Sequence, residues 1–223
     1  MYSCNESGFV QYDAEATEYL MARDPKLAEA IKAVGDIRRP MDGDVFTSVV
    51  KSIVGQQISA AGLKTVLGRL TAKTGDPITP EAIDELSVDE LQSCGMTFRK
   101  AEYIKSFADK VISGEFDIDG LEAMEDEEVI EALSSLKGIG RWTAEMILIF
   151  SMNRMNVFAF DDVGIHRGIR MVYHHRRVTK DMFERYRRRF SPYGTVASLY
   201  FWAISHMDVP GYDKDYAPKK KRK

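Results

Sequence analysis

The run LSSLKGIGRWTAEMIL at residues 133–148 restricts the fold more than any other stretch. Leu133 and Leu136 before the turn, and Ala144, Ile147 and Leu148 after it, repeat at helical spacing around Gly138-Ile139-Gly140. Two helices joined so briefly must fold back on each other, and glycine supplies the positive φ that such a hairpin needs. Ile139 would plug the turn into the core. Backbone N–H groups at the start of the second helix would point outward, an arrangement that suits a phosphate. An ordinary helical hairpin would also carry a glycine turn, so this feature needs support from the rest of the chain.

That rest reads as helical throughout. Asp24-Pro25 and Thr79-Pro80 each place a cap before a proline at the first helical position. Ser87 with Glu90 predicts a capping box, and Thr179 a cap for the basic helix that follows. FTSVVKSIVGQQIS and EEVIEALSSL show amphipathic helical spacing, while FVQY and NVFAF are the only short strand candidates. Breaks near 35–44, 75–79 and 117–120 separate helices without long linkers. The fold class expected is all-α.

The sequence has 223 residues, 44% of them hydrophobic and 29% charged, the balance of a soluble globular chain. No apolar run is long enough to span a bilayer, and MYSCNESGFV lacks the apolar centre of a signal peptide. Cys4 and Cys94 are too few for a disulfide framework or a four-thiolate cluster, so an intracellular chain without an iron–sulfur centre is expected. His166, His174, His175 and His206 show no ligand spacing for zinc, and no metal held by side chains is expected. The net charge is -3, but it is unevenly spread. Acidic side chains dominate 76–131, and basic ones dominate 165–190 from Arg167 to Arg189. Solvated helix faces and a polyanion footprint both fit that pattern. The closing PKKKRK reads as a tail that adds nonspecific DNA affinity, with nuclear import as the alternative.

A second motif follows in NVFAFDDVGIHRGIRMVY, where Asp161 and Asp162 stand at the start of a helix. Both could be first-turn acids, but one cap needs only one aspartate. LKGIGRWTAEMI followed by VFAFDDVGI resembles the helix–hairpin–helix DNA glycosylase superfamily, and within it the alkyl-purine, 3-methyladenine DNA glycosylase II branch. IVGQQIS and SPYGTVASLYFW resemble that branch too, so the resemblance covers about residues 35–207. It implies a compact form without an additional N-terminal α/β domain, and a two-lobed helical fold with the active cleft between the lobes.

The resemblance also implies roles. Asp162 would be the catalytic carboxylate, leaving Asp161 as the helix cap. Lys137, Gly138, Ile139, Gly140 and Arg141 would form the DNA-binding hairpin, whose backbone carbonyls could hold a monovalent cation; no other cofactor is implied. Gln57 would wedge into the gap left by a flipped base, with Ser59 near the minor groove and Gln56 read as a backbone-capping amide. Trp202 and Trp142 would line the lesion pocket, with Met146 where a relative has tyrosine and with Phe46 and Tyr193 as weaker members. In strand-cleaving relatives a lysine that forms a Schiff base occupies the position of Trp142, and indole cannot form an imine. The expectation is therefore a monomeric, monofunctional enzyme that flips and excises alkylated purines from duplex DNA by hydrolysis, in the nucleoid or the nucleus according to its source. A non-catalytic helix–hairpin–helix module and a bifunctional glycosylase/lyase are the rival readings. The expected divisions are N-terminal helices over 1–34, a wedge-loop lobe over 35–130, a hairpin and aspartate lobe over 131–212, and a flexible basic tail over 213–223.

Overall fold

A computed structural model describes residues 2–218; Lys219 to Lys223, and with them most of PKKKRK, lie outside the described residues. In chain order the helices are α1 (Ala14–Arg23), α2 (Pro25–Val34), α3 (Val45–Gly55), α4 (Ala60–Thr74), α5 (Pro80–Asp84) and α6 (Val88–Ser93). They continue with α7 (Phe98–Ile112), a 3-10 turn at Asp119–Ala123, α8 (Asp126–Ser134), α9 (Arg141–Phe150), α10 (Val163–Tyr173), α11 (Lys180–Phe190) and α12 (Gly194–His206). The fold is all-α. Neither strand candidate forms a strand: Phe9 and Tyr12 make only isolated bridges, to Pro40 and Cys4, and 156–160 is irregular.

The helix starts follow local chemistry. Asp24 and Thr79 accept hydrogen bonds from the third residue on, each ahead of a proline, and Ser87 and Glu90 close a capping box. Thr179 caps α11 in the same way. These contacts satisfy N–H groups that have no partner within the helix.

The chain divides into two compact units, Met1–Met41 with Asn153–Lys223, and Asp42–Met152. The N-terminal helices belong with the C-terminal segment, but the hairpin belongs with the wedge-loop unit rather than with the aspartate. The boundary falls at 152, not 131, because α8 and α9 pack against each other and α9 also packs on α3. In the first unit α12 is buried along its length and packs chiefly on α10. The second unit has its core in α3, α7, α8 and α9.

Both ends are more tied than their composition predicts. The Cys4 N–H donates to the Tyr12 carbonyl (2.8 Å), and the Thr17 hydroxyl donates to the carbonyl of Tyr2 (2.8 Å). In the expected flexible tail, Arg170 grips Asp215 through two hydrogen bonds of 2.7 Å, and Tyr216 stacks on His174. The Arg170 guanidinium holds the Asp215 carboxyl below the usual carboxylate range. A carboxylate with a lowered native pKa adds stability above its unfolded pKa of about 3.9, and that stability is lost as pH falls through the native value. Asp215→Asn should therefore lower the melting temperature by a few degrees at pH 7, and the difference from wild type should close below about pH 3. Thermal melts at the two pH values check this; an unchanged difference at low pH would contradict it.

Candidate active site

In the first unit the geometry centres on Asp162, which is 7% exposed at the start of α10. Its Oδ1 accepts the backbone N–H of Ile165 (2.8 Å), so Asp162 is itself the N-cap. This corrects the expectation that Asp161 caps the helix: Asp161 is exposed. The same Oδ1 accepts the indole N–H of Trp202 from α12, also at 2.8 Å. Two donors thus answer a carboxylate oxygen at a buried position, where an unpaired one would be costly.

Trp202 reaches Asp162 because α10 and α12 pack with almost no side chain between them at two points. A Cβ on Gly168 would lie 2.3 Å from the backbone oxygen of Phe201. A Cβ on Gly164 would lie 2.8 Å from Cδ1 of Trp202 and 2.9 Å from Cε1 of His206. These glycines, four apart on one helix face, were not singled out from sequence. The available signal was their cost, since glycine inside a helix is about 1 kcal/mol worse than alanine and needs a packing reason. A cavity of ≈ 250 Å³ adjoins the indole, lined by Asp36, Arg39, Trp202 and His206 among others. The Arg39 guanidinium stands 6.0 Å from the Trp202 ring centroid.

The second unit holds the hairpin and a larger cavity of ≈ 540 Å³. Gly138 has φ +89, and a Cβ there would strike the ring of Tyr103 at 2.8 Å. Gly140 has φ -98 and open space around it, so its value is not conformational. It caps α9 without a side chain. Ile139 is buried, as the plug reading requires, while Lys137 is exposed. Arg141 forms a two-point pair with Glu127 (2.5 and 2.8 Å) and approaches the buried Glu145 at 3.6 Å, so its charge is largely answered within the unit.

Trp142 is 45% exposed and lines the larger cavity with Met146, Gln56, Leu63 and Leu67. Lys51, unremarked in the sequence, lines it too and donates to the Asp42 carbonyl (2.9 Å). Gln57 is exposed at φ +55, a conformation uncommon outside glycine. Gln56 donates its amide to the Gly138 carbonyl (2.6 Å), in keeping with its reading as a backbone-capping amide. Ser59 caps α4 by accepting from the N–H of Gly62 (3.2 Å).

Two expected pocket residues lie elsewhere. Phe46 is 4% exposed and stacks on Phe107 at 4.8 Å, which makes it core. Tyr193 packs edge-on against Tyr19 of α1 and lines neither cavity described above. The basic run also divides. Arg170, Arg187 and Arg189 serve the fold through Asp215, Glu184 and Asp24, whereas Arg176, Arg177, Arg185 and Arg188 are exposed. Among the described residues no group of three or more His, Cys, Asp or Glu could hold a metal, and no helix is long and apolar enough to cross a membrane.

The glycine contacts set a stability test. Gly168→Ala should cost about 1–3 kcal/mol because a backbone carbonyl must move. Gly164→Ala should cost less but displace the indole, altering the Trp202 emission in a Trp142→Phe background. Denaturant melts and fluorescence read both; a neutral Gly168→Ala would contradict the close approach.

Residues 50–192 match the family described as HhH-GPD superfamily base excision DNA repair protein. The chain is 31% identical over 213 residues, 92% of each sequence, to DNA-3-methyladenine glycosylase 1 of Schizosaccharomyces pombe. It superposes with TM-score 0.80 and 35% identity on a DNA-3-methyladenine glycosidase of Bacillus halodurans, covering 87% of this chain and 90% of the other. An S. pombe 3-methyladenine DNA glycosylase bound to abasic DNA gives TM-score 0.75 and 29% identity over 90% of this chain and 100% of the other. The chain belongs to the HhH-GPD superfamily of base excision DNA repair proteins.

Proposed function

We propose that the protein is a monofunctional DNA glycosylase that excises alkylated purines from duplex DNA by hydrolysing the N-glycosidic bond. The observation that carries this reading is the buried Asp162 carboxylate, fixed on one oxygen by its own helix and by Trp202. Departure of the base leaves positive charge on the sugar, and a preorganised carboxylate stabilises that charge without reorganising. At about 4 Å and an effective dielectric near 20 the attraction is about 4 kcal/mol. The same group can orient the attacking water or take its proton.

Trp142 and Trp202 divide the aromatic work. A cationic alkylated purine is drawn to an indole ring by about 0.5–2 kcal/mol, and Trp142, nearly half exposed, lines the larger cavity. Trp202 is mostly buried and its N–H is committed, so its first task is to hold Asp162. The base must leave the stack to react, and Gln57, exposed at the turn after α3, would fill the gap. Phosphate contact falls to the open start of α9, to Lys137 and to the exposed arginines, so affinity should drop steeply with salt. The monovalent cation of the same reading would sit on hairpin carbonyls, of which Gly138 already accepts the Gln56 amide and Leu136 the Ile139 N–H.

Asp162→Asn should keep binding abasic-site DNA yet release methylated purines at least about a hundredfold more slowly, the scale of losing one strong electrostatic contact. Single-turnover base release beside equilibrium binding checks it; full activity in the variant would remove Asp162 from the mechanism. Trp202→Phe keeps a ring but loses the N–H, and should lower the rate by about tenfold or more with little change in binding. Equal losses in both would favour a packing role.

The lyase reading keeps one specific observation, Lys51 in the Trp142 cavity. Borohydride reduction should trap no covalent enzyme–DNA adduct. An adduct that disappears in Lys51→Gln would overturn the monofunctional reading.

A further inference from the structure

One cluster in the second unit is not used by the chemistry above. Lys100, on α7, donates through Nζ to the carbonyl of Val54 (2.9 Å) and to that of Gln56 (2.6 Å). Both carbonyls lie at the C-terminal end of α3, where the last turn has oxygens without helical partners and the dipole favours a cation. Burial pushes the Lys100 ammonium below the usual lysine range, so the contact is made at some cost in hydration. One residue further on, Gln57 stands at φ +55 with its side chain exposed.

The same helix reaches the hairpin. Tyr103, one turn along α7 from Lys100, covers Gly138 so closely that a Cβ there would overlap its ring. The Arg99 guanidinium stands 5.9 Å from the Tyr103 ring centroid. Gln56 closes the circuit: its carbonyl accepts from Lys100 while its side-chain amide donates to the Gly138 carbonyl. The turn after α3 and the turn after α8 are thus joined by a continuous chain of hydrogen bonds.

From this geometry we infer that Lys100 is a positioning residue for base flipping, bracing the Gln57 turn and the hairpin into one rigid DNA-reading element. The inference rests on the proposed base excision and deepens it. Lys100 touches no substrate. Its removal leaves the Val54 and Gln56 carbonyls without their lysine donor, frees Gln57 to relax from its left-handed conformation, and loosens the Gln56 link to Gly138. A wedge that relaxes before it enters the stack no longer repays the unstacking energy, and that energy is largest when the lesion is well paired.

This dependence on pairing separates positioning from general structural damage. Single-turnover excision of the same alkylated purine is compared in a fully paired duplex and opposite an abasic site, where flipping is easier. Lys100→Met should slow excision from the paired duplex by about tenfold or more and from the other substrate by less than about threefold. Lys100→Arg, which can donate to both carbonyls, should recover most of the loss. Gln56→Met, which keeps the α3 end intact, should shift the ratio in the same direction and serves if Lys100→Met does not fold. Equal losses on both substrates, or no loss on either, would overturn the inference. A 2-aminopurine beside the lesion reports unstacking without excision, so a failed flip remains distinguishable from a failure of the glycosylase reading itself.

Discussion

Much of the first unit is organised around one hydrogen bond, from the Trp202 indole to the Asp162 carboxylate. A carboxylate this buried needs donors, and the start of α10 supplies one through the N–H of Ile165. The second must come from 40 residues away, which requires α12 to lie almost against the backbone of α10. Gly168 permits that approach at the Phe201 carbonyl, and Gly164 permits it at the indole itself. Two glycines that weaken α10 as a helix therefore make the aspartate site possible, a local cost offset by one long-range contact.

The second unit meets a different constraint, that of presenting turns to a polyanion without letting them wander. Gly138 supplies the left-handed hairpin and Gly140 leaves the start of α9 uncovered. Behind them, Lys100 of α7 and the Gln56 amide tie both turns by hydrogen bonds. The net charge of -3 is no obstacle, because the acidic residues concentrate over 76–131 while exposed arginines remain in 176–188.

Features that depend on a few neighbouring residues were legible in the sequence. The caps at Asp24, Thr79, Ser87 and Thr179, the glycine hairpin and its isoleucine plug all form where their spacing places them. The aspartate pair was legible as a site, but not the identity of the cap, because Asp161 and Asp162 are equally good acceptors until the helix phase is set. Phe46 looked like a pocket aromatic and is core, since its partner Phe107 lies on a helix far along the chain. Lys100 and Arg39 carry no signal for the same reason: nothing in their local sequence names the distant carbonyls or ring they face. The unit boundary is not legible in the sequence, because α9 packs on α3 and on α8, a preference that no linker composition announces.

The reaction is defined by what leaves the DNA and what remains. A duplex carrying a single 7-methylguanine is incubated with the protein, and the products are resolved by chromatography and mass. The prediction is one free methylated base per turnover and an unbroken strand bearing an abasic site. Release of no base, or base release coupled to a strand break before any alkali is added, would contradict the water-using glycosylase described here.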